Sequence, residues 1–359
     1  MWEDLDRFED RSPPLFDTRL FAAQTRPTED GTLISLCANH AIMDARSMSI
    51  LFRDLFVAYD SDSPLNEQDA SVSYGDWTEW ERANLSSPRG QRLRDFWVRR
   101  LGELGPLPAS GFASVLPRVE RTAACQFNLT FDVPATQFLA GAAATAGGSL
   151  FAAIGVVWKV ALWAMRVERG VSESAPVAVL GAFANRLPAR FAQEVGGFAN
   201  SVVIVTDIRP SLTFVELVAN ESKGLVASSF HQDYPHSNVT LDLDPRLYAV
   251  RYAGRLGDIP RYVNFDIPYA QGVGFPEGVA SGQAVVRETA AQMPRGGLRI
   301  VVAERDGKWT FDGRYDPSVY GFEVIAELTT RVRSVLARWM SNPNLPAWRV
   351  VEAMALDAE

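Results

Sequence analysis

The chain has 359 residues, 47% hydrophobic and 22% charged, with a net charge of -8. That profile excludes a disordered or fibrous chain, and the length holds one large domain or two lobes with separate cores. The acidic balance, with no Lys/Arg run, argues against duplex nucleic acid and anionic lipid surfaces as partners. Only Cys37 and Cys125 are present, so the chain is no disulfide scaffold and reads as a protein of a reducing cytoplasm. The opening Met1-Trp2-Glu3-Asp4 is acidic and lacks the apolar run of a signal peptide.

The segment to about residue 17 reads as irregular. Leu20 to Ala23 and Leu33 to Cys37 read as two strands around a turn at Glu29-Asp30-Gly31. Apolar residues at Met48, Ile50, Leu51, Leu55, Phe56 and Tyr59 predict an amphipathic helix over 47–59, and 60–70 reads as a polar loop. Helices follow at 74–85 and 88–101. The Gly-, Pro- and Ser-rich stretch 102–117 marks a lobe boundary, which predicts lobes at 1–115 and 116–359. A strand at 124–131 places Gln126, Asn128 and Thr130 on one side. A helix starts at Pro134, a residue suited to the first helical position. Gly147-Gly148 breaks the chain before a long apolar helix from Leu150. Lys159 and Arg166 interrupt that helix, so it reads as buried in a core rather than as a membrane span. Further strands are expected at 175–182, 202–206, 248–252, 262–266, 298–304 and 309–315, with helices at 212–230 and 322–339. The alternation predicts an α/β or α+β fold in two layers.

Chemistry narrows quickly. The chain has three histidines, His40, His231 and His236, so few groups can act as a base near neutral pH. His40 lies between an apolar strand and a helix, where a rigid element can hold a side chain at a cleft mouth. Taken alone it is equally a satisfied polar residue of a turn. Asp44, four residues on, can orient the imidazole or lock the turn through an ion pair elsewhere. Ser47 can cap the following helix. Trp77 and Trp80, three apart on a helix, read as core. No nucleophile elbow, zinc spacing or phosphate-binding glycine motif is present, so hydrolase, metal and nucleotide readings have no support.

Five ordered blocks carry a resemblance. Asn39-His40-Ala41-Ile42-Met43-Asp44-Ala45 resembles H-H-x-x-x-D-G. Tyr74-Gly75-Asp76-Trp77-Thr78-Glu79-Trp80 resembles Y-x-D-F-x-x-W, and Gly181 to Arg186 resembles G-x-x-x-A-N-R. Val195-Gly196-Gly197-Phe198-Ala199-Asn200-Ser201 resembles I-G-x-F-V-N-T, and His231-Gln232-Asp233-Tyr234-Pro235 resembles H-Q-D-x-P. Together they are similar to the condensation domains of nonribosomal peptide synthetases, from about residue 14 to the closing helix and loosely after 240.

That resemblance implies a two-lobed, chloramphenicol acetyltransferase-like fold with a tunnel between the lobes. Acyl groups would arrive on the phosphopantetheine of carrier proteins, with no bound cofactor or metal, and an amine or hydroxyl would attack the thioester. By the resemblance His40 is the catalytic residue, and Asp44 and Arg186 form a structural ion pair. Asn39, Ala45, Gly196, Gly197, Asn200 and Ser201 line the substrate tunnel. For the two glycines a tight turn into a strand is an equal reading, while His231 and Asp233 shape a helix end. Asn39 stands for the motif's first His and Ala45 for its Gly, which would bring strain if that position needs positive φ, or narrow the channel if a ligand backbone approaches there. The family carries a substantial segment before this strand, so the N-terminal lobe is expected to be incomplete. Three readings are open: a truncated product, completion by a second chain or a dimer mate at an open sheet edge, or adaptation to the loss. The rival reading is a non-catalytic docking module for carrier proteins.

Overall fold

The computed structural model describes residues 20–29, 31–60, 72–102, 124–174, 176–243, 263–266, 298–305, 307–317 and 320–356. The irregular opening, most of the 60–70 loop, the 102–117 boundary and the strand at 248–252 lie outside them. Among the described residues the chain divides into two compact units. One comprises the residues up to Leu85 together with Ala184–Ala199, and the other comprises the rest. The units are therefore interleaved along the sequence rather than joined at one point.

The smaller unit opens with the antiparallel hairpin β1 (Phe21–Thr28) and β2 (Gly31–Ala38), with Thr28 opposite Gly31 across a two-residue loop. β1 runs five residues beyond the expected strand. Gln24 to Pro27 carry no apolar alternation, but a ladder is made by backbone groups and does not require it. Helix α1 (Ala45–Asp60) begins two residues earlier than its apolar pattern indicates. Its N-cap is Asp44 rather than Ser47: Asp44 Oδ1 accepts from the Ser47 backbone N–H at 2.8 Å. Ser47 sits inside the first turn. Helix α2 (Tyr74–Leu85) buries Trp77 against Phe191 and Phe198, with Trp80 packed at the margin.

The larger unit is a mixed six-stranded sheet with helices on it. Its strands are β3 (Cys125–Phe131), β4 (Val177–Phe183), β5 (Asn200–Thr206), β6 (Val263–Asp266), β7 (Leu298–Arg305) and β8 (Lys308–Tyr315), in the order β3-β8-β7-β6-β4-β5. β6 runs parallel to both of its neighbours and the other pairings are antiparallel. β3 turns Gln126, Asn128 and Thr130 outward and Leu129 and Phe131 inward, the period-2 pattern of a half-buried strand.

Helix α3 (Pro88–Gly102) belongs to this unit, with Trp97 Nε1 donating to the His231 carbonyl at 2.9 Å. Helix α4 (Val133–Thr145) is capped by Asp132, whose side chain accepts from Ala135 N–H at 3.0 Å. It ends where Gly147 takes φ +64°, and Gly148 N–H reaches back to the Ala143 carbonyl at 2.8 Å. That reversal needs glycine, because a Cβ is strained there. Ser149 then caps α5 (Leu150–Glu168). Every residue of α5 from Ala152 to Arg166 is buried, against α4, β4, α6 (Phe214–Phe230) and α8 (Phe322–Ser341). By length and composition α5 is the one described helix able to cross a membrane, but here it is the core of the sheet layer.

Two helices have no counterpart in the sequence expectations: α7 (His236–Leu243) and α9 (Ala347–Leu356). Both are short. The backbone N–H groups of Ala347 and Trp348 at the start of α9 are taken by the carbonyls of Leu212 and Pro210. The start of α9 is thus held by a distant loop as well as by its buried Ala347 and Val350.

Candidate active site

β2 delivers the chain to a tight turn at residues 39–42. Asn39 N–H donates to Leu20 O at 2.8 Å, and Asn39 Oδ1 accepts from Ala41 N–H at 2.9 Å. This is the side-chain-closed turn that asparagine favours. His40 stands on it with an exposed side chain. Its Nδ1 lies 3.0 Å from the Met43 carbonyl oxygen. A carbonyl can only accept, so Nδ1 carries the hydrogen, and in the neutral ring the Nε2 lone pair is left unprotonated.

Asp44 serves a different centre. It is 2% exposed and its carboxylate takes six hydrogen bonds. Oδ1 accepts from the backbone N–H and the hydroxyl of Ser47, each at 2.8 Å, and from Arg186 Nη2 at 3.0 Å. Oδ2 accepts from Arg186 Nη1 at 2.8 Å and from the backbone N–H groups of Phe198 and Ala199 at 3.1 and 3.0 Å. Of the two roles open to Asp44 in the sequence, this geometry is the ion pair that locks the turn. Burial pushes the Asp44 carboxyl up. The hydrogen bonds and charge of Arg186, with the two Ser47 bonds, outweigh it and hold the group below its ordinary value. The Arg186 guanidinium also lies 4.3 Å from the Phe198 ring centre.

Ser47 completes this centre. Its hydroxyl accepts from Gly196 N–H at 2.9 Å and Arg186 Nη2 at 2.8 Å, and lies 2.8 Å from the Gly196 carbonyl. Asp44 N–H donates to the same carbonyl at 3.1 Å. Segment 194–199 is thereby fastened to the start of α1. The D-x-x-S spacing shows only a cap; its long-range contacts are visible only in three dimensions.

Packing crowds the side-chain space of both glycines. A Cβ on Gly196 would fall 2.3 Å from Tyr74 Cδ2, and one on Gly197 would fall 3.0 Å from the Ala41 carbonyl oxygen. Ala45 is the exposed first residue of α1 and does not lie at positive φ; Asn185 is the described non-glycine residue that does. Replacement of the motif glycine therefore brings no strain at Ala45.

Asn200 and Ser201 begin β5 and belong to the larger unit, opposite Phe183 and Ala182 in the ladder. The Asn200 amide donates to the carbonyls of Gln232 and Tyr234 at 2.7 and 2.8 Å, and its oxygen accepts from His236 N–H at 3.0 Å. Asn200 thus pins the His231-to-His236 turn. His231 ends α6, with Nδ1 2.7 Å from the Ala227 carbonyl and its ring stacked on Phe96 at 3.5 Å. Asp233 is buried and accepts from Arg89 Nε and Nη2 at 3.1 and 2.9 Å.

The sequence profile of the condensation domain matches residues 7–254. The chain belongs to the condensation-domain family. It is 26% identical over 237 residues to phosphinothricin tripeptide synthetase PhsC of Streptomyces viridochromogenes. That alignment takes in 65% of this chain but 21% of the synthetase, so the condensation domain spans about a fifth of that relative. Among solved structures it superposes on the first condensation domain of the calcium-dependent antibiotic synthetase with a TM-score of 0.72 and 20% identity, covering 97% of this chain and 76% of the other. On the X-domain from teicoplanin biosynthesis the TM-score is 0.70 at 19% identity, covering 96% and 78%. The fold is the chloramphenicol acetyltransferase-like α/β fold. Condensation domains of nonribosomal peptide synthetases generally form amide bonds in peptide biosynthesis and work with carrier-protein domains.

Proposed function

We propose that this condensation domain transfers an acyl group from a carrier-bound pantetheine thioester to an amine or hydroxyl acceptor, with His40 at the reacting centre. The single observation that carries the reading is the His40 ring. Its Nδ1–H is committed to the Met43 carbonyl, so Nε2 presents a lone pair from an exposed side chain on a fixed turn. In the proposed step the acceptor nitrogen or oxygen forms a bond to the thioester carbonyl carbon while Nε2 receives the acceptor's proton. The carbon–sulfur bond then breaks and the pantetheine sulfur leaves, taking up a proton as thiol. Base help of this kind is worth about 10²–10⁴-fold, and holding the reactants in place supplies as much or more. No cofactor need be bound, because the pantetheine arm arrives with the substrate.

The test is product formation by mass spectrometry, with acyl-loaded carrier proteins, candidate acceptors, and wild type beside His40→Ala. A loss of at least about a hundredfold in His40→Ala supports the reading. Equal product from both proteins removes His40 from the reaction. Carrier binding without product from either protein favours the docking module or an enzyme that lacks a partner chain.

A further inference from the structure

The Tyr74-to-Trp80 block carries no step of the proposed reaction, yet it touches the segment on which the His40 turn rests. Tyr74 lies flat on Trp77, with ring centres 5.5 Å apart and planes 13° from parallel, and edge-on to Phe198 at 5.0 Å. Its ring occupies the space beside Gly196, where a Cβ would come within 2.3 Å. Its hydroxyl donates to the Gly197 carbonyl at 3.1 Å. One tyrosine therefore engages both glycines, by shape at Gly196 and by a hydrogen bond at Gly197.

The glycines in turn meet the His40 turn. Gly196 accepts from Asp44 N–H, and a Cβ on Gly197 would fall 3.0 Å from the Ala41 carbonyl oxygen and 3.5 Å from that of His40. Gly197 thus closes against the backbone of the two residues at the tip of the turn. Among the described residues the His40 side chain bonds to Met43, inside the same turn. Whatever sets the backbone at residues 40–43 therefore sets where Nε2 points.

We infer that Tyr74 is a positioning residue, whose hydroxyl holds Gly197 against the His40 turn and so fixes the direction of the imidazole. Its catalytic consequence rests on the acyl-transfer reading; its structural consequence does not. Burial, then the charges of Glu81 and Asp44, raise the Tyr74 phenol above its ordinary value, so the group stays a donor throughout the neutral range.

Tyr74→Phe keeps the ring on Trp77 and Phe198 and deletes only the hydroxyl. The three histidines allow a direct readout in the full chain. Their imidazole resonances are assigned by single His→Gln substitutions, and His231 and His236, in the other unit, serve as internal references. The expected result is that Tyr74→Phe shifts the His40 ring resonances and leaves those of His231 and His236 in place, at an unchanged melting temperature. With turnover in hand, kcat falls about tenfold at constant KM, the scale of one lost hydrogen bond acting through position. A folded Tyr74→Phe protein with unmoved His40 resonances overturns the inference, as does an equal shift of all three rings. Should Tyr74→Phe lose its fold, Gly197→Ala is read the same way: Tyr74 stays, the added methyl presses on Ala41, and unmoved His40 resonances overturn the inference. A wild type without turnover counts against the acyl-transfer reading alone, because the resonances report the positioning independently.

Discussion

In the larger unit the centre is apolar. Trp158, Phe311, Phe214 and Trp339 are each at most 1% exposed, and α5, which carries Trp158, is buried from Ala152 to Arg166. In the smaller unit a cluster of Trp77, Phe191 and Phe198 stands beside the Asp44–Arg186–Ser47–Gly196 network. The larger unit also holds a buried pair: Lys159 donates to Glu221 at 2.7 Å, and both groups contact Thr206. The two pairs differ in what else they hold. Lys159 adds one carbonyl, that of Ile204, inside a sheet already fixed by its ladder. Asp44 collects backbone N–H groups from Ser47 in α1 and from Phe198 and Ala199, and with the bonds of Ser47 to Gly196 it joins α1 to residues 194–199. A buried charge pair in a large core is replaceable; one that satisfies irregular backbone is not.

The largest test of that contrast is Asp44→Ala. It removes the carboxylate partner of a buried guanidinium and of three backbone N–H groups, and should cost about 3–5 kcal/mol in chemical denaturation, with loss of soluble protein. A soluble, fully stable Asp44→Ala protein would break the comparison. The acid limb sharpens it. Asp44 has a depressed folded-state pKa, so its stabilisation is complete above the ordinary aspartate value of about 3.9 and is lost as pH falls through the lower folded value. Wild type should lose stability as pH falls below about 4, and Asp44→Asn, weaker at neutral pH, should lose less over the same window. Denaturation midpoints against pH for the two proteins measure the difference. In the larger unit the paired exchange Lys159→Met with Glu221→Leu should stay within about 1–2 kcal/mol of wild type, whereas Lys159→Met alone should cost about 3–5. The smallest effect is expected at His40→Ala. An exposed side chain with one turn hydrogen bond should change stability by no more than about 0.5 kcal/mol. A large loss there would mean that the turn is held by His40 and not by the segment behind it.

The helices with strong apolar periodicity were legible in the sequence, and so were the Val-rich strands, because burial on one face or two writes itself into residue choice. The extension of β1 through Gln24 to Pro27 and the helices α7 and α9 were not. The extension of β1 rests on backbone bonds to its neighbouring strand, the start of α9 on carbonyls of a distant loop and the start of α7 on the Asn200 side chain, and none of these shows in local composition. Within the site, His40 and the Asp44/Arg186 pairing were readable only as a resemblance of ordered motifs. The four-way role of Ser47 was hidden behind its local reading as a cap.

The sequence by itself determined which stretches can be helix or strand, which histidine precedes α1, and to which family the ordered blocks are similar. Tertiary structure alone decided that Asp44 turns to Arg186 and away from His40. It alone decided that Gly196 and Gly197 are glycines because Tyr74 and the Ala41 carbonyl fill their side-chain space, and that residues 184–199 join the unit of β1 and β2. The reason is range. Periodicity and capping act over a few residues and are written in order, whereas an ion pair spanning 142 positions becomes visible only when the fold closes it.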